Sequence, residues 1–396
     1  MTLPYRYVVL GLVLAIQASV TVGTIGLPAL APLIQADLGL SRTEAGSLVS
    51  PFYVGSLVIG VPAGYLADRL GVRWTLVGGQ ALVALFLFAL AAVDSGWLVP
   101  LAIGAAGFGF ALVNPTTTKA VIAWFPLASR ATAVGVKQTG LPLGGAIGAA
   151  VLPGLALAVG WRDAVRATAL LVVLCAAATA LVYRERSEEG GATAPRPGSV
   201  FTVLRNGNLW RLSLVTVLFA TVQVSWTGYF VLFLTEAAGR SVVEGGAMLA
   251  LANVAGIGGR IAFGLLSDRV FGGRRRIVLV IAGVGSGLVA AATALVGPGT
   301  PSVAVALLAL VFGVLGIGWN GVQLTLLAEL AGKALAGTAV GLGLAVSALG
   351  VILGPPAFGR LVSLLGGYGP AWVALAGAMV LALLLLATVR EPARRV

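Results

Sequence analysis

Long apolar blocks, each closed by a short polar interruption, fill almost the whole chain. They run roughly from Tyr7 to Leu27, Ala45 to Leu66, Trp74 to Val93, Trp97 to Thr118, Ala133 to Val159 and Ala164 to Tyr183. After a polar stretch the pattern resumes at Leu209 to Leu234, Val243 to Leu266, Ile277 to Val296, Val303 to Leu327, Ala336 to Leu365 and Trp372 to Val389. Each block is close to the roughly 20 residues that an apolar helix needs to cross a bilayer. In lipid only helices or closed barrels satisfy the backbone, and barrel strands would alternate apolar and polar positions, which these blocks do not. The pattern predicts an all-α membrane protein of twelve transmembrane helices. The Gly- and Pro-rich fifth and eleventh blocks are expected to be kinked or extended.

Composition agrees with lipid as the solvent. Of 396 residues, 59% are hydrophobic and only 10% charged, far less charge than a water-covered surface of this size carries. Cytoplasmic loops retain Lys and Arg, so the N- and C-termini are expected in the cytoplasm of a prokaryote, with the chain in its inner membrane. That orientation leaves Arg42, Arg162, Arg166, Arg240 and Arg360 outside, Lys137 and Arg260 within helices, and the other basic residues inside. The formal charge of +12 is then an orientation signal and a match to anionic lipid, with no nucleic-acid partner expected. The first block follows Arg6 but lacks a small-residue cleavage site, so it reads as a retained helix rather than a secretory signal. The single cysteine, Cys175, cannot form an internal disulfide, and there is no histidine. No metal site, cofactor, nucleotide-binding loop or nucleophile-and-base constellation is indicated, so an enzyme or an ATP-driven pump is not expected.

A polar stretch, Arg184 to Asn208, carries Glu188, Glu189, Gly190, Gly191, Pro195, Pro197 and Gly198. It suits a cytoplasmic linker (184–208) between two six-helix bundles, 1–183 and 209–396. A repeat supports the division. Gly64-Tyr-Leu-Ala-Asp68-Arg69-Leu-Gly71-Val-Arg73 follows the second block, and Gly264-Leu-Leu-Ser-Asp268-Arg269-Val-Phe-Gly272-Gly-Arg274 follows the eighth, offset by 200 residues.

These two segments resemble the loop signature of the major facilitator superfamily, and the resemblance spans the whole chain. It implies that Gly64, Asp68, Arg69, Gly71 and Arg73, with Gly264, Asp268 and Arg269, act as a cytoplasmic latch whose arginines pair across the seam between halves. Anchoring of helix ends is the alternative. Arg130, in the loop between the fourth and fifth blocks, is the candidate partner of Asp68, or else a headgroup anchor.

Polar side chains in lipid-buried helices usually face a cavity or a neighbouring helix. Here they are Gln17, Asn114, Gln138, Gln223, Trp226, Tyr229, Asn253, Trp319, Asn320 and Gln323. The resemblance implies that helices one, four, seven and ten line a central cavity, which would place most of this set around a substrate; interhelical hydrogen bonding is the alternative. Arg260, eight residues before Asp268, lies roughly 12 Å into the membrane at about 1.5 Å per residue, and Lys137, seven residues past Arg130, roughly 10 Å. Arg260 is too deep to reach the headgroups, whereas Lys137 has the option of snorkelling inward. The acidic residues nearest the membrane, Glu236 and Glu329, fall near helix ends, and an embedded cation without a counter-charge costs several kcal/mol (about 3 or more) unless an anion neutralises it.

The run Gly259-Arg260-Ile-Ala-Phe-Gly264 is similar to the eighth-helix segment of monocarboxylate and oxalate carriers, where the matching Arg binds a carboxylate; a structural hydrogen bond from Arg260 to neighbouring carbonyls is the alternative. The acid those carriers place one turn earlier is Gly256 here. Lys137-Gln138-Thr139-Gly140-Leu-Pro142-Leu-Gly144-Gly145 resembles, with its proline displaced, the fifth-helix motif of drug antiporters. The leading expectation is a monomeric secondary carrier of a small anionic substrate, a carboxylate, with a proton as candidate coupling ion. A proton-coupled multidrug or metabolite exporter is the first alternative, and a non-transporting membrane receptor or scaffold the second.

Overall fold

A computed structural model describes residues 5–185, 202–332 and 335–391, apart from the side chains of 59–69, 127–132 and 336–337. Most of the linker, and the side chains of Gly64, Asp68, Arg69 and Arg130, therefore lie outside the described residues. The described chain divides into two compact units, 1–191 with 241–250, and 192–240 with 251–396.

In the first unit α1 (Tyr5–Val22) is followed by a turn at Leu27–Leu30 and by α2 (Ala31–Leu38), α3 (Arg42–Gly46) and α4 (Ser50–Ala91). Then come α5 (Val99–Trp124), α6 (Leu127–Gln138), α7 (Gly140–Val159) and α8 (Trp161–Val182). The second unit holds α9 (Gly207–Glu236), α10 (Val242–Leu265, whose first residues group with the first unit), α11 (Arg275–Thr293), α12 (Ser302–Phe312), α13 (Asn320–Ala331), α14 (Ala336–Leu364) and α15 (Tyr368–Ala387). Eleven helical segments among the described residues are long and apolar enough to cross a membrane. The part of α4 ahead of Gly71 is the remaining span, giving the twelve-helix fold.

Several boundaries differ from the apolar pattern, each for a local reason. The second and third spans run through α4 with only Gly71 (φ 77°, ψ 169°) out of helical geometry between them. That backbone region is open essentially to glycine alone, so one residue takes the place of the expected loop. The fifth span is broken at Thr139 into α6 and α7, and the tenth into α12 and α13 by a wider turn at Gly313–Ile317. By contrast the eleventh, α14, continues through Pro355 and Pro356.

The glycines of the fifth and eleventh spans set helix spacing. A Cβ on Gly144 would stand 2.2 Å from the Ala18 carbonyl oxygen, and one on Gly148 would stand 2.4 Å from that of Val22, so α7 lies backbone-to-backbone against α1. In the second unit Gly350 and Gly354 do the same for α14 against α9, with a Cβ on Gly350 2.2 Å from the Val217 carbonyl oxygen. Small residues four apart allow this approach in membrane helices. The two pairs share one register: residues 144 and 148 plus 206 are residues 350 and 354.

Candidate functional site

Three polar residues of the first unit meet around Asn114, which precedes Pro115 inside α5. Lys137, at the C-terminal end of α6 just before the break at Thr139, is fully buried. Its Nζ donates to the Asn114 side-chain Oδ1 (2.9 Å), the Asn114 carbonyl oxygen (3.0 Å) and Thr118 Oγ1 (3.1 Å). The expected option of snorkelling is not taken: close packing of α7 on α1 begins beside the lysine, whose side chain turns to α5 instead. An ammonium has three donors, and all three are used on neutral acceptors. No carboxylate among the described residues pairs with it.

Gln17 of α1, also fully buried, completes the cluster by donating from Nε2 to Asn114 Oδ1 (2.8 Å). With Lys137 charged, the direction of that bond follows from its chemistry. A lysine ammonium only donates, so the Asn114 atom facing it is the oxygen, and the Gln17 atom facing that same oxygen is the NH2 group. Gln17 Oε1 is consequently turned away, buried and without a donor. Gln138 Oε1, one residue past the lysine, is likewise buried without a donor.

The second unit repeats the amide pair in the same 206-residue register: Gln17 and Asn114 correspond to Gln223 of α9 and Asn320 of α13. Here the polarity is reversed. Asn320 Nδ2 donates to Gln223 Oε1 (3.2 Å), which also accepts from Trp319 Nε1 (3.0 Å). Gln323 Nε2 donates to Thr216 Oγ1 (2.8 Å) between the same two helices. The position matching Lys137 is Gly343, where a Cβ would stand 2.2 Å from Leu327 Cδ1.

Two of the expected pocket residues are placed in the packed interior. Trp226 is fully buried between the Phe230 and Phe312 rings, with centroids 3.8 and 3.9 Å away, and donates from Nε1 to Thr293 Oγ1 (3.1 Å). Tyr229 is fully buried with its ring edge-on to Phe358 (4.9 Å). Asn253 is buried on α10, and Arg260, on the same helix, is half-buried.

Of the latch residues that are described, Arg73 and Asp268 make bonds within their own units. Arg73 donates its backbone N–H to Glu185 Oε1 (2.7 Å) and a guanidinium N–H to the Ala180 carbonyl at the end of α8. In the second unit Asp268 pairs with Arg275, the first residue of α11, whose guanidinium also donates to Ser267 Oγ (2.8 Å) and Glu329 Oε1 (3.3 Å). The Arg275 N–H donates to Glu391 Oε1 (2.6 Å). Arg269 is exposed, and Gly264 faces open space, so packing does not demand a glycine there. Sequence reasoning missed Arg275, Glu185 and Glu391. The Arg-Glu pair that follows both the sixth and twelfth spans, Arg184-Glu185 and Arg390-Glu391, is the signal that was there to find. Among the described residues, no group of three or more His, Cys, Asp or Glu could hold a metal ion.

Comparison with known proteins follows the same architecture. The sequence profile of the Major Facilitator Superfamily matches residues 12–355. An uncharacterized MFS-type transporter of Mycobacterium tuberculosis is 30% identical over 392 residues, covering 97% of this chain and 85% of the relative. A hexuronate transporter of Bacillus subtilis is 28% identical over 256 residues, 61% of this chain and 59% of that protein. Among solved structures, the nucleoside transporter NupG superposes with a TM-score of 0.79 at 15% identity, over 98% of this chain and 99% of that one, a likeness of fold alone.

Proposed function

This chain belongs to the Major Facilitator Superfamily and is a multi-pass membrane transporter, and we propose that its cargo is a small organic anion, a carboxylate, moved by alternating access. One observation carries the reading: a fully buried lysine nitrogen whose three partners are all neutral. Hydrogen bonding satisfies its donors but leaves its charge uncompensated, and a substrate carboxylate is the group that would compensate it. A charged acceptor also makes a stronger bond than the neutral ones it would displace. In this conformation the lysine is sealed, so substrate reaches it in another state of the cycle. Arg260 is the second candidate cation, with Asn114 and Gln17 shaping the first subsite.

The relative named as a hexuronate transporter supports an organic acid as cargo. The basic-residue bias supports placement in a bacterial inner membrane with both termini cytoplasmic. The test is uptake of a panel of radiolabelled organic acids, mono- and dicarboxylate, by purified protein in liposomes. Saturable uptake of an anion, lost in Lys137→Met and weakened at least tenfold in Arg260→Ala, is expected. Uptake of that anion unchanged in Lys137→Met would overturn the assignment.

A further inference from the structure

The two units hold the same amide pair with opposite polarity, and the difference leaves one atom without a partner. In the second unit the glutamine oxygen, Gln223 Oε1, has two donors, at 3.0 and 3.2 Å. In the first unit Lys137 claims the asparagine oxygen, which forces Gln17 to offer its NH2 group and strands Gln17 Oε1. A buried acceptor without a donor costs free energy comparable to a lost hydrogen bond, so something should supply one. Two hydrogen bonds onto one oxygen, from Lys137 Nζ and from Gln17 Nε2 to Asn114 Oδ1, link the Gln17 amide to the lysine.

We infer that Gln17 is a specificity-determining residue: its Oε1 accepts a hydroxyl of the substrate whose carboxylate Lys137 neutralises, so the cargo is a hydroxylated carboxylate rather than a plain one. This rests on the anion reading above. A stranded oxygen does not by itself mark a site, since Gln80 Oε1 of α4 is also buried without a donor. The Gln80 amide, however, bonds Thr179 Oγ1 (3.1 Å) and the Leu76 carbonyl (3.1 Å), and no bond of it leads to a cation. Gln17 differs in sharing its acceptor with the ammonium. A site built to bond a hydroxyl rejects the analogue that lacks it far more strongly than an apolar pocket rejects a change of one methylene.

The experiment compares anions on matched carbon frames, propionate with lactate and glycerate, and hexanoate with D-gluconate. Affinities are read from inhibition of uptake into liposomes and from the thermal shift of purified protein, for wild type, Gln17→Met, Gln80→Met and Lys137→Met. Wild type should bind the hydroxylated member of at least one frame about tenfold or more tighter, the scale of one well-made hydrogen bond. In Gln17→Met that ratio should collapse towards one, while in Gln80→Met it should stay at the wild-type value. Equal wild-type affinities within both frames overturn the inference with no mutant needed. So does a preference that survives Gln17→Met, or one that Gln80→Met erases as well. The failure of the anion reading is distinct: binding of either member untouched by Lys137→Met, or no anion bound at all, removes both proposals together.

Discussion

Lys137→Met separates a lysine kept for a ligand from one kept for the fold, because the two roles give opposite signs in stability. Methionine keeps the length of the side chain and deletes the ammonium. The native protein loses three hydrogen bonds, yet both Asn114 oxygens keep a donor. The Asn114 carbonyl still accepts from the hydroxyls of Thr117 (2.8 Å) and Thr118 (3.3 Å), and Asn114 Oδ1 still accepts from Gln17 Nε2 (2.8 Å). Three charge-assisted bonds at about 1.5 kcal/mol each are set against relief of a desolvation penalty of several kcal/mol, roughly 5 or more, for a buried ion without a counter-charge. The balance falls near zero or favours the variant by about 1–3 kcal/mol, which corresponds to an apparent melting temperature unchanged or a few degrees higher. Anion uptake in liposomes should meanwhile drop to the level of empty vesicles. Such a trade of stability for function is what a ligand site held in an unfavourable electrostatic state produces. A melting temperature several degrees lower, together with lost uptake, would refute the reasoning, since it would make the ammonium a structural tie between α6 and α5.

Six further substitutions probe the remaining parts. Asn114→Asp places a carboxylate 2.9 Å from the ammonium in place of Oδ1, so it should raise the melting temperature while abolishing anion-induced thermal shifts. Arg275→Ala removes one side chain that serves Ser267, Asp268 and Glu329, and should lower the melting temperature through a loss of about 2–3 kcal/mol, with Glu329→Gln losing less. Trp226→Ala should cost about 3–5 kcal/mol and cut the yield of folded protein, whereas Trp226→Phe should retain substrate selectivity and most of the yield, because the ring is packing between Phe230 and Phe312. Gly71→Ala meets both a positive φ and a Cβ 2.7 Å from Glu185 Oε1, so a destabilisation of about 1–3 kcal/mol is expected, visible as a lower melting temperature.

The spans were legible because lipid imposes a single rule, about twenty apolar residues with the backbone bonded internally, and composition alone reveals where it is obeyed. Direction was not legible. Depth along a helix follows from counting residues, so Lys137 stands out as embedded. Whether it turns to the headgroups or to Asn114 depends on the break at Thr139 and on α7 lying against α1, both tertiary facts. Trp226 and Tyr229 show the same limit: their helix is one that the resemblance assigns to a cavity, yet both side chains face inward to other rings. Arg275 stands in a run with Arg274 and Arg276 that is uniform in type, and only the start of α11 selects the one that reaches Asp268 and Glu329. Loop motifs suggest ties between halves, whereas Arg73 and Arg275 each find their described partners within one unit because α8 and α13 end beside them.

The second unit serves as an internal control on the meaning of the lysine. An amide bridge between the first and fourth helices of a six-helix bundle does not require a cation, since Gln223 and Asn320 make it with only neutral Trp319 beside them, and the glutamine oxygen there has two donors. Nor does the register tolerate a long side chain there, for Leu327 fills the space against Gly343. If the bridge exists to hold helices together, the first unit carries an unfavourable addition: a buried charge, a reversed amide pair and a stranded acceptor. The buried charge and the stranded acceptor are each destabilising, and both would be relieved by one kind of guest, an anion bearing a hydroxyl. The asymmetry between two otherwise matching bridges is what the hydroxy-anion proposal accounts for, and Lys137→Met and Gln17→Met are the variants that test it.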